Sequence, residues 1–191
     1  MNEKHIDYII KHMPEIVTPR LLLRKLKVKD AKDMYEYSSS EDLTRFLLWN
    51  AHPDLNYTKK YLKFVVSKYK SGDYLDWGIV LKENNKLIGT CGFTCIDLAN
   101  SKGEIGYVLN PRYHNNGYAT EAVRAVLKYA FDILELNRIE ARVMEGNSPS
   151  VKLLENCSMF FEGVGRKEMF VKGEYKNILH FSLLRTDNIN R

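Results

Sequence analysis

One stretch limits what this chain can become. Ala119, Ala122, Val123, Val126, Leu127, Ala130, Phe131 and Leu134 recur at spacings of three and four, the period of a long helix with one apolar face. A helix of that kind has to lie against a sheet or another helix to bury its stripe. Immediately before it, residues 102–110 read as a strand stopped by Pro111. A polar turn carrying a single glycine, Gly117, leads into the helix.

The remaining chain supplies the sheet. Strands are expected over residues 20–25, 75–82, 86–95, 138–144, 159–171 and 174–185. Asn84-Asn85 forms a hairpin turn, because Asn tolerates the left-handed backbone such turns require. Helices are expected over 29–38 and 57–70, with Leu62, Val65, Val66 and Tyr69 at helical spacing, and over 148–156. The connection 41–56 is helical in part. Ile6, Ile9, Ile10 and Met13 line a short helix that Pro14 stops. The order β-αα-βββ-α-β-α-ββ predicts an α/β (α+β) fold with a mixed sheet and helices on both faces. With no repeat or linker, 1–191 reads as one domain, its core spanning 17–185 behind a 1–17 extension.

Composition removes several functional classes. At 191 residues, 45% hydrophobic and 28% charged, the chain reads as globular. No apolar run reaches the roughly 18 residues of a membrane span. The first 17 residues contain Glu3, Asp7 and Glu15 and no apolar core of a signal peptide, so a cytoplasmic location and no membrane partner are expected. Three cysteines are too few for a disulfide scaffold. Cys91, Phe93 and Cys95 alternate along one strand face, which reads as core; with no second pair or His cluster, no metal is expected. The net charge of +5 fits a solvated surface or a polyphosphate ligand. Its lysines are scattered among acids, so nucleic acid is not an expected partner.

A helix start offers unpaired main-chain N–H groups and the positive end of the helix dipole, a setting for a phosphate. Gly117 lets the main chain close on a diphosphate, and Ala119 keeps the approach open. Helix capping alone also explains such a turn. It is neither a dinucleotide fingerprint, which needs three spaced glycines, nor a P-loop, which needs Gly-Lys-Ser/Thr.

Four pieces in order make the reading specific: Thr18-Pro-Arg-Leu-x-Leu-Arg24, Glu104-Ile-Gly-Tyr107, Gly117-Tyr-Ala-Thr-Glu-Ala122, and Asn147-x-x-Ser150 followed by Leu153-Leu-Glu155 and Glu162-Gly163. Together they resemble the GCN5-related N-acetyltransferase (GNAT) superfamily, and within it the RimJ/RimL-like group of ribosomal-protein N-acetyltransferases, over about residues 17–185. There are departures. His114 stands where many members carry Arg or Gln, Cys157-Ser158-Met159 replaces Leu-Gly-Phe, and Leu154 occupies the place of the frequent general-acid tyrosine.

The resemblance implies a mostly antiparallel sheet of about seven strands, splayed in the middle to admit acetyl-CoA. Val108, Leu109 and Asn110 would pair with the pantetheine amides, with an N–H of Val108 or Leu109 facing the reacting carbonyl. His114, Asn115, Asn116, Gly117, Tyr118, Ala119 and Thr120 would form the diphosphate loop, and Asn147 would orient cofactor or nucleophile. Ser150 would help protonate the leaving thiolate. Glu104 is the candidate base; a strand glutamate facing solvent is the plainer alternative. Phe46, Trp49 and Tyr57 would line the acceptor side, although core packing also accounts for them. The partner is then an amine, in the first place a protein N-terminal α-amine, with a small-molecule amine or polyamine as the alternative, acted on by a monomer or homodimer. A non-catalytic CoA-binding module is the alternative from another class.

Overall fold

A computed structural model describes residues 8, 9, 12–71 and 74–188. The short helix expected over Ile6, Ile9, Ile10 and Met13 falls largely outside the described residues. The described strands join one sheet. They are β1 (Ile16–Val17), β2 (Leu21–Arg24), β3 (Leu75–Leu81), β4 (Leu87–Asp97), β5 (Lys102–Leu109), β6 (Arg138–Met144), β7 (Phe160–Val171) and β8 (Glu174–Leu184). Their spatial order is β1-β2-β3-β4-β5-β6-β8-β7. Every neighbouring pair is antiparallel except β5 with β6, which run parallel. The two-residue β1 is the strand beyond the expected seven.

The predicted long helix is α4 (Tyr118–Asp132), after α1 (Ala31–Ser38), α2 (Glu41–Thr44) and α3 (Leu55–Ser71); α5 (Ser148–Asn156) and α6 (Arg185–Asn188) follow. α4 buries Ala122, Val123, Val126, Ala130 and Phe131 almost completely. Fully burying side chains of this size contributes roughly 1.5–3 kcal/mol for each large one, so the stripe fixes the helix to the sheet. Trp77 of β3 meets Tyr129 of α4 edge-on, 5.2 Å between ring centres. Asp76, one residue earlier, therefore projects to the opposite face, where α1 and α3 lie. Asn85 adopts φ 58 in the β3–β4 turn, as its position predicts.

One strand expectation is corrected. The β4–β5 register shifts between Phe93 and Cys95, a bulge that breaks the alternation on which a shared face depended. Cys91 and Phe93 are buried, but Cys95 is exposed.

Candidate active site

α4 begins at Gly117, whose φ of +75° lies in the left-handed region. Asn115 two residues earlier has φ 62. The first helical bond runs from Glu121 N–H to Gly117 O at 3.0 Å, leaving the N–H groups of Tyr118, Ala119 and Thr120 without a main-chain acceptor. Two sequence pieces 100 residues apart hold this turn. Thr18 Oγ1 donates to Glu121 Oε1 at 2.6 Å, and Arg20 Nε pairs with Glu121 Oε2 at 2.6 Å. Burial works against the Glu121 carboxylate, yet the bonds from Thr18 and Arg20 hold its pKa below the usual range. Arg20 also donates to Asn116 O at 2.8 Å and stacks over Tyr118. Gly117 and Thr120 line an open groove of about 870 Å³ with Arg20, Arg124 and Lys128.

The parallel pair β5–β6 is short. Its register covers Lys102, Gly103 and Glu104 against Arg138, Ile139 and Glu140, and then stops, while β5 continues to Leu109 and β6 to Met144. The strands separate and leave a split in the sheet. Asn110 donates its N–H to Ile88 O at 2.7 Å, and its C=O accepts from Tyr113 N–H at 2.9 Å. Its side chain, in a residue only 2% exposed, reaches Glu36 and the Arg112 N–H. Asn110 thus builds the turn and offers the split no main-chain group, contrary to expectation. Alternation sends the Val108 main chain toward β4 as well; a Cβ on Gly89 would lie 2.2 Å from Val108 O. Tyr107 and Leu109 are the residues whose main chain faces the split. The ring of His114 lies 3.0 Å from Leu109 O through Nε2, so this histidine closes the turn from within.

Across the split, the Tyr107 hydroxyl lies 2.6 Å from Ser150 Oγ. Burial pushes the Tyr107 phenol well up. Asn147 caps α5, its side chain accepting from Ser150 N–H at 3.4 Å. The tyrosine missing from α5 thus has a counterpart on β5. Strand alternation places Tyr107 opposite Glu104 and Val108, but nothing in the sequence says that β5 and α5 meet.

On the α1/α3 face, Phe46, Trp49, Tyr57, Glu104, Asn147 and Ser150 line one cleft of about 530 Å³. Glu104 is engaged: Oε2 lies 2.7 Å from Arg142 Nε, and Oε1 accepts from Thr94 Oγ1 at 2.8 Å. Trp49 and Tyr57 flank the buried His52, with ring centres at 5.4 and 4.9 Å. Asp76 lies at the far end of this cleft. Burial pushes its carboxyl up to about 7, against weaker opposing bonds from Tyr74 and Thr90. Sequence reasoning passed over Asp76, since one acid inside a strand carries no motif. Among the described residues, no group of three His, Cys, Asp or Glu side chains is arranged to hold a metal.

Residues 20–159 match the acetyltransferase (GNAT) domain family. An N-acetyltransferase of Bacillus licheniformis, p20, is 35% identical over 175 residues, covering 92% of this chain and 98% of its own. A putative ribosomal N-acetyltransferase of Bacillus subtilis, YdaF, is 27% identical over 90% of this chain and 94% of its own. The crystal structure of a GNAT-family acetyltransferase from Bacillus anthracis superposes with a TM-score of 0.81 at 29% identity, over 91% of this chain and 99% of that one.

Proposed function

We propose, from the premise that this chain belongs to the GNAT family and is an N-acetyltransferase, that it passes the acetyl group of acetyl-CoA directly to a primary amine. The observation that carries this is the parallel pairing of β5 with β6, which ends after three residues and opens the sheet beside a helix start with free N–H groups.

The residues present fit acetyl-CoA. The N–H groups of Tyr118, Ala119 and Thr120 and the left-handed Gly117 make a diphosphate cradle. Arg124 and Lys128 place positive charge along the adjoining groove. The split, where Tyr107 and Leu109 present their main chain, would hold the pantetheine arm. When bound, acetyl-CoA supplies an acetyl group already activated as a thioester, so the protein needs no nucleophile of its own.

The residues then divide the proton work. Leu109 N–H takes up charge developing on the acetyl oxygen. Glu104 accepts the proton leaving the amine nitrogen, directly or through water, while Thr94 and Arg142 hold its orientation. The Ser150 hydroxyl gives a proton to the departing sulfur and recovers one through Tyr107, 2.6 Å away, which solvent reprotonates while Glu104 returns its proton to solvent. Asn147 fixes the turn that presents Ser150.

The energy of preparing the amine bears on the acceptor. An α-amine of pKa about 7.7–8.0 costs about 1 kcal/mol to deprotonate at pH 7, whereas a lysine near 10.4 costs about 4.6. A base already paired with arginine suits the easier amine, such as a protein N-terminus, and the relative YdaF carries a ribosomal label. A small amine is the second reading, favoured by the half-buried carboxylate that lines the acceptor cleft. The test is release of free thiol from acetyl-CoA with N-terminal peptides and small amines, with mass spectrometry of the product. Turnover is expected. Tight acetyl-CoA binding with no turnover on any amine would replace this reading with a CoA-binding module.

A further inference from the structure

We infer that Asp76 and Tyr37 form a cation subsite closing the acceptor cleft, and that the acceptor is a compact primary amine with a second ammonium group held there. This rests on the acetyl-transfer reading, in its second, small-amine form, and names the substrate class.

The floor of the cleft leads to Asp76. Asp76 of β3 is opposite Gly92 of β4, and Gly92 is opposite Gly106 of β5. These three positions form a row across the sheet on the α1/α3 face, and two of them carry no side chain. Gly92 cannot carry one: a Cβ would lie 2.3 Å from Asp76 Cα. The result is a trough from the edge of the split to the carboxylate, lined by Gly106, Gly92 and Asp76 and flanked by Thr94, whose Cγ2 lies 2.8 Å from where a Cβ on Gly106 would stand. Strands lie about 4.8 Å apart, so the trough is roughly 10 Å long. That distance keeps Asp76 away from the reacting amine and leaves it the other end of the acceptor.

The end of the trough holds polar atoms with nothing to bind. Asp76 Oδ1 and Tyr37 Oη are both buried without a hydrogen-bond partner among the described residues. Asp76 Oδ2 has a long bond from the Tyr74 hydroxyl at 3.3 Å. Among the described residues no neighbouring cation answers the charge: Arg24 is held by Asp30 at 2.8 Å, and Arg142 by Glu104 at 2.7 Å. His52 is bound to Ser38 and Thr58, and burial lowers its pKa, so it stays neutral. Tyr61 and Tyr74, their hydroxyls 3.1 Å apart, complete the wall. A carboxylate beside aromatic rings at the end of the cleft selects an alkylammonium, by charge and by cation–π contact.

The test is equilibrium binding of 1,5-diaminopentane and of n-pentylamine to the protein saturated with CoA, by calorimetry. The diamine is expected to bind at least tenfold more tightly, with Asp76→Asn reducing its affinity to that of the monoamine. Equal affinities in the wild-type protein, or a preference that survives Asp76→Asn, overturn the subsite; a trough filled by water alone gives the first result. The wild-type comparison stands even if the variant folds poorly. Thiol release is read separately: its absence with both amines refutes acetyl transfer and leaves the binding result legible.

Discussion

At the Gly117 end of the molecule the groups poised for a ligand are main-chain N–H donors set by a single turn. At the Asp76 end they are side chains brought together from β3, α1 and α3. The first depends on backbone shape, so the side chains of Asn115, Asn116 and Tyr118 can vary without dismantling it. The second depends on individual residues, and one substitution changes what it can hold. The donor end is further pinned by Thr18, Arg20 and Glu121, whereas the acceptor end keeps two buried polar atoms unsatisfied.

That contrast can be broken at four places. The largest effect is expected from Gly117→Glu, which puts a side chain and a negative charge into the cradle at a left-handed position. Acetyl-CoA affinity measured by calorimetry should fall by roughly a thousandfold or more, whereas Gly117→Asn, which tolerates that backbone, should retain most of it. Next, Glu104→Gln should lower kcat at pH 7 by about a hundredfold, with acetyl-CoA affinity little changed. Part of the loss should return by pH 9, as more of the amine is already deprotonated; an unaltered rate places the base elsewhere.

Tyr107→Phe should lower kcat by about tenfold with little change in KM for acetyl-CoA. Combining it with Ser150→Ala should add almost nothing to the serine change alone, because the two hydroxyls act as a unit. Additive losses would separate them.

The acceptor end is tested through stability, apart from turnover. The Asp76 carboxyl is raised from 3.8 to about 7 in the folded protein. The folded state therefore holds a proton that the unfolded state has already released. Stability is intact below about pH 4 and is lost as pH rises through about 7. Asp76→Asn removes that loss. Its melting temperature should match the wild type at pH 4 and exceed it by roughly 10 °C at pH 8, the rise from 3.8 to about 7 corresponding to about 4 kcal/mol in a chain of this size. A gain at pH 4 as large as at pH 8 would rule out the buried charge as its cause.

The elements that were legible in the sequence have strong local periodicity. The apolar stripe of α4, the strand Arg138–Met144 and the helix Ser148–Asn156 lie where spacing and capping residues put them. Cys95 was misplaced because a bulge has no signature in an alternating stretch; its cause is how β4 meets β5. Asn110 was assigned to the split because its neighbours face it, but which strand claims a main-chain N–H depends on pairing. Tyr107 and Asp76 were invisible for the same reason: Ser150, which Tyr107 meets, and Tyr37, which lines the same cleft as Asp76, are distant in sequence.

The amino-acid order alone determined the long helix, the glycine that opens it, and most of the strands, since each needs only contacts within a few residues. The tertiary structure decided where β5 and β6 part, which hydroxyls meet across the gap, and which acid is buried at its end. Those outcomes depend on the packing of separate segments and on the exclusion of water between them.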